Sequence, residues 1–192
     1  MICICHQKSL VLNCLVCRGE VTLFGKADVD KRTQRIVTQT AFMAGREDNL
    51  TLLGEMKETV STSFANTSKL LSLFQIYFYG KKRDWSKFAK STLQYGNTVR
   101  ENDWQTMYET GAYLKHFAKD KETIKIGVQV MEKVLKLHKN YEHLCIYSVL
   151  QNKSGNKDLA LAAAKEALKI SKVEREDGSE AQELIVELTA FK

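Results

Sequence analysis

The sequence predicts an all-α protein, a superhelix of stacked helix hairpins behind a short irregular N-terminal segment. Three observations carry that expectation. No proline occurs in 192 residues, against an average usage of about 5%. Apolar residues recur at spacings of three and four from residue 28 almost to the end. Two thirteen-residue stretches, 127–139 and 160–172, overlay at a shift of 33 residues. Proline breaks helix interiors, so its absence suits long helices joined by short polar turns. We divide the chain into a cysteine-containing segment, 1–27, and a helical repeat domain, 28–192.

Within 1–27 the loose alternation of Val21, Leu23 and Phe24-Gly25 suggests one or two short strands. A helix is then expected over Asp30–Ala44, stopped by Gly45. Asn49 is placed to cap the next, through Leu52, Leu53, Met56 and Val60. Leu70, Leu71, Phe74, Tyr77 and Phe78 share one face of a third helix, which Gly80 ends before a turn at Lys81–Arg83. Asp84 caps a fourth, carrying Trp85, Phe88, Ala89, Thr92 and Leu93, and Gly96 closes it. Asn102 or Asp103 caps the helix of Trp104, Met107, Tyr108, Gly111 and Leu114. Helices over 121–138, 141–153 and 159–172 follow, the last two separated by the turn Ser154-Gly155-Asn156-Lys157. A final helix, Ser179–Phe191, opens with the capping-box spacing Ser179…Gln182.

In the 33-residue overlay Gly127 meets Ala160, Met131 meets Ala164, Val134 meets Ala167 and Leu135 meets Leu168. Small residues at the first and third of these positions let helices approach closely, and the neighbouring aliphatic fills the groove so formed. One helix pair cannot bury its apolar face alone, so such pairs stack. The stretch 85–95 reads as an earlier second helix at a shift of 42, with a longer loop at 96–103 taking up the difference.

Residues 141–172 resemble a tetratricopeptide repeat. Leu144, Tyr147 and Ser148 match the large-large-small positions of its first helix; Ala160, Ala164, Ala167 and Leu168 match its second, without the motif's final proline. Trp104 and Gly111 match a preceding unit less closely. More narrowly, 140–171 is similar to the helical tail of certain bacterial exported thioredoxin-like proteins, a resemblance covering roughly 65–190. It implies a protein-interaction tail, non-catalytic and thioredoxin-associated. The chain has no Trp-Cys-x-x-Cys and no proline for the cis-Pro of such active sites, so the tail is expected without its catalytic head.

A tetratricopeptide array holds its partner on a surface lined by first helices. The positions expected there are Asn102, Gln105, Glu109, Ala112 and Tyr113 from one unit, then Glu142, Cys145, Val149, Asn152 and Lys153 from the next. They do not match the clamp that grips a peptide's terminal carboxylate, so a partner ending that way is not expected. The partner is a protein or peptide. The net charge of +6 is spread among acidic neighbours, which argues against nucleic acid. No apolar run approaches the ~20 residues that span a bilayer. With no leader of the signal-peptide type, a cytoplasmic location is expected, or an exported one if the chain is truncated. No phosphate loop, Ser/His/Asp set or paired-carboxylate motif points to a small-molecule substrate, so no enzyme is expected.

The alternative chemistry lies in the first seventeen residues. Cys14 and Cys17, two residues apart, have redox spacing, with Arg18 placed to lower a thiol pKa. Cys3, Cys5, Cys14 and Cys17, with His6 as a substitute ligand, could instead hold zinc from two short knuckles. The bland reading, a reduced and poorly folded segment with no cofactor, is preferred. Cys145 reads as a small buried hydrophobe. His138 and His143, beside a turn between helices, read as surface residues, and the sequons at Asn49, Asn66 and Asn152 as chance.

Overall fold

The computed structural model describes residues 20–63, 67–98 and 103–190. Among them all regular structure is helical, in nine helices. The chain divides into two compact units, 1–82 and 83–192.

The first unit holds α1 (Glu20–Arg46), α2 (Leu50–Ser63) and α3 (Thr67–Lys82). Helix begins at Glu20, so the backbone over 21–25, where short strands were expected, is helical, and the 27/28 boundary falls inside α1. Gly25 costs a helix only about 1 kcal/mol relative to alanine, and no proline is there to stop it. The core gathers Val37, Ala41 and Ala44 of α1, Leu53, Met56 and Val60 of α2, and Leu70, Phe74 and Phe78 of α3. Gly45 sets how closely α1 lies on α3: a Cβ there would stand 2.5 Å from the Phe78 carbonyl oxygen. Asn49 caps α2 as expected, its Oδ1 accepting the Leu52 N–H at 3.0 Å. Gly80 does not end α3. The helix runs on to Lys82, whose ammonium pairs with Asp48, and Arg83 at φ 58° turns the chain. Burial of Phe74 and Phe78 outweighs one helical glycine, and the terminal lysines suit the negative end of the helix dipole.

The second unit holds α4 (Trp85–Tyr95), α5 (Gln105–Phe117), α6 (Lys121–Leu137), α7 (Tyr141–Ser154), α8 (Lys157–Glu174) and α9 (Ser179–Ala190). Asp84, Asp120 and Asn140 cap α4, α6 and α7, accepting backbone N–H groups three residues on at 3.1, 2.8 and 2.8 Å. Gly155 closes α7 in the left-handed conformation, φ 92°. Two expected caps are not made. Trp104, without a side-chain capping bond, stands at the head of α5 in place of Asp103. The Ser179…Gln182 box is also absent, because the Asp177 carboxylate accepts both the N–H and the hydroxyl of Ser179.

Each helix packs on its chain neighbour from α4 to α9, and α5 also meets α7, which meets α9. The residues of the 33-residue overlay sit where that packing requires: Gly127, Met131, Val134, Ala160, Ala164 and Ala167 are all buried. The helices themselves recur at a different interval. The second helices start at Trp85, Lys121 and Lys157, 36 residues apart each time, so the wider step of 42 is absent. The first helices start at Gln105, Tyr141 and Ser179, 36 and 38 apart. An apolar stripe nearly repeats with every helical turn, so overlaying stripes can slip by about a turn against the true period. On α9, Ala181, Leu184 and Leu188 are buried, while Gln182, Glu183 and Glu187 are exposed.

Candidate functional site

Helices α5, α7 and α9 lie side by side, and their rotation decides which side chains remain available. On α5 two flanks are committed. Tyr108 donates its hydroxyl to Glu142 of α7, and Lys115, whose carbonyl accepts from Lys153, pairs with Glu180 of α9. On the opposite flank Tyr113 and Phe117 stack on Trp85 of α4, at centroid distances of 6.1 and 4.9 Å, and Thr110 hydrogen-bonds Thr92 at 2.9 Å. Between the flanks Gln105, Glu109 and His116 are exposed and Ala112 half-buried.

On α7 the corresponding strip is Glu142, Val149, Asn152 and Lys153, with Val149 and Asn152 half-buried. At a shift of 37, which superposes the buried positions Met107, Leu144 and Ala181, the strip forms three rows. Gln105, Glu142 and Ser179 make a polar row. Ala112, Val149 and Val186 make an apolar one, with Val186 62% exposed. His116, Lys153 and Ala190 make the third.

Of the residues expected on this face, Gln105, Glu109, Ala112, Glu142, Val149, Asn152 and Lys153 lie on it. Tyr113 does not, because it turns toward α4. Cys145 does not either: it is fully buried, and burial pushes its thiol up to about 11, which makes it an inert packing group. His116 and Val186 belong to the face and were missed. Trp104 and Gly111 stand seven residues apart where the motif's first large and first small positions stand four apart, and reading Met107 in place of Trp104 gives the register the structure shows. Asn102 lies outside the described residues. So do Cys3, Cys5, Cys14 and Cys17, the redox and zinc candidates. Among the described residues no three His, Cys, Asp or Glu side chains gather to hold a metal.

One end of the face is built on a ring cluster. Trp104 stacks on the His138 ring at 4.4 Å with planes 10° apart, and lies edge-on to His143 at 5.0 Å. Tyr108 tilts over His143 at 4.8 Å. His143 is thus a core residue, 1% exposed, while His138 is exposed. The His143 Nδ1 meets the His138 carbonyl at 2.8 Å, so in the neutral ring that nitrogen carries the proton. Burial holds His143 below the usual histidine pKa, opposed by the bond to the His138 carbonyl and by Glu142, and reinforced by the His138 ring. The neighbouring Tyr108 phenol is pushed up to about 12 by burial and by its bond to Glu142, so it remains a donor at any ordinary pH.

Two other surfaces carry apolar groups. Phe42 and Met43 of α1 are about half exposed beside Tyr77, with the Lys81 ammonium 4.2 Å from the Phe42 ring centre. A groove of about 400 Å³ beside α6, α7 and α8 has Leu135, Leu144 and Leu159 in its lining, and the Lys139–Glu166 ion pair lies among its lining residues. No helix among the described residues is long and apolar enough to cross a membrane. No family model, curated protein or solved structure matches the chain.

Proposed function

We propose that the second unit is a tetratricopeptide-like scaffold that binds a segment of another protein across α5, α7 and α9, and that it works as a binder rather than an enzyme. The observation that supports this is the three-row strip: an apolar row of Ala112, Val149 and Val186, with the polar row of Gln105, Glu142 and Ser179 on one side and the basic side chains His116 and Lys153 on the other. Such a strip offers apolar contact along its centre and hydrogen-bonding groups at its margins, the arrangement of a protein interface. Small residues on α6 and α8 hold the helices close and keep the strip in register. The unit differs from the tetratricopeptide motif in its 36-residue interval between second helices and in lacking the final proline. Association with a thioredoxin-like head rests on the resemblance of 140–171 alone.

Site-specific photocrosslinking tests the reading. A benzophenone amino acid at Val149 should yield discrete protein adducts in cells of the source organism. The same group at Lys169, exposed on α8, should not. Charging the apolar row with Val149→Glu should abolish adducts formed from position 105 while leaving the helical circular dichroism intact. Identical adducts from 149 and 169, or none from 149, would overturn it.

A further inference from the structure

We propose that Trp104, Tyr108, His138 and His143 form a proton-operated latch, in which protonating His143 releases the first turn of α5 from the corner between α6 and α7. The latch stands on how α5 begins. Its N-cap residue makes no side-chain capping bond, so its unsatisfied N–H groups receive no help there. What fixes this turn instead is ring contact: Trp104 lies against His138 and His143, and Tyr108 one turn on covers His143 and holds Glu142.

His143 is held by two hydrogen bonds. Its N–H is donated to Asn140 and its Nδ1–H to the His138 carbonyl, which leaves Nε2 to accept any added proton. A proton on Nε2 therefore brings a cation onto a ring that is only 1% exposed. The groups acting on that cation come from all three elements. From α7, Glu142 favours it, but the Tyr108 hydroxyl already occupies the carboxylate. From the α6–α7 corner, the His138 ring opposes it with centroids 5.3 Å apart. From α5, Trp104 lies edge-on and Tyr108 lies tilted, and both rings are uncharged. Burial is the largest of these effects and it opposes the charge. Withdrawing the two α5 rings exposes the imidazolium to water, so acid favours the released turn. Gln105 and Tyr108 leave their places with it, which makes the polar row of the face sensitive to pH; that consequence alone rests on the proposed binding face.

The test uses the full chain carrying Trp85→Phe, which leaves Trp104 as its one tryptophan. Between pH 8 and pH 4.5 the Trp104 emission should shift to the red in a transition centred below 6.5, with far-UV circular dichroism essentially constant. The transition should be lost in His143→Gln and kept in His138→Gln. Imidazole NMR of the same chain without the His143 change covers the case in which His143→Gln fails to fold: His143 should titrate together with the Trp104 indole N–H resonance. The proposal is overturned if the emission change follows His138 instead, coincides with global unfolding, or is missing while His143 titrates. None of these readouts involves a partner, so failure here leaves the binding face untouched, and failed crosslinking leaves the latch untouched.

Discussion

The α1–α3 core and the α7–α9 cluster solve the same problem, burying one face of each helix, with different residue sizes. In the first, Phe74 and Phe78 fill a single core against α1 and α2, and α1 is 27 residues long, nearly twice α2. In the second, Ala160, Ala163, Ala164, Ala167 and Ala181 dominate the cluster that α7, α8 and α9 share. Large side chains make a core that closes on itself. Small ones make an interface that can be copied, because each helix leaves its neighbour almost the same shallow surface. Among the described residues, a face is repeated on successive helices in the second unit alone.

If that contrast holds, the units should break differently. Phe74→Ala should cost the first unit about 3–5 kcal/mol, seen as faster amide hydrogen exchange through α1–α3. A loss below ~1 kcal/mol would show that the core does not depend on the phenylalanine. Enlarging Ala164 to leucine in the second should cost about 1–3 kcal/mol by overpacking, with protection lost in α7–α9. The same change at exposed Ala162 is the control, and equal tolerance at both sites would deny close packing a role.

Smaller effects sharpen the comparison. Asp120→Ala removes the α6 cap and should cost about 1 kcal/mol at neutral pH by denaturant unfolding. The bond from the Thr123 backbone N–H holds the Asp120 carboxyl below its ordinary value. Its contribution is therefore complete above the unfolded carboxylate range and fades as pH falls through the lower folded value. The gap between wild type and variant should narrow in acid, and a constant gap would mean the carboxylate is not the cap. The smallest change runs the other way. A Cβ at Gly54 meets nothing within 4 Å in an exposed stretch of α2, so Gly54→Ala should stabilise the chain by roughly 0.5–1 kcal/mol.

Much of the fold was legible in the residues. The apolar stripes of α3 to α9 and the caps at Asn49 and Asp84 are local signals, and local physics decided them. The failures have physical causes as well. The loose alternation of Val21, Leu23 and Phe24-Gly25 is too short to separate a strand from one turn of helix. Gly80 was read as a stop, although neighbouring buried aromatics override a glycine. Tyr113 falls on the expected strip only when Trp104, an aromatic, sets the register three residues from where Met107 sets it. The ring cluster was invisible beforehand: Trp104, His138 and His143 lie on three elements, and nothing in their spacing announces that they meet.

Helix α9 has a last consequence. With Gln182, Glu183 and Glu187 turned outward, another hairpin docking against it would strand carboxylates in a dry interface. A hairpin added behind α9 would therefore require those carboxylates to be replaced by apolar residues. New hairpins are accommodated ahead of it, between α8 and α9, where each newcomer meets the alanine surface it needs and α9 is carried outward as the lid.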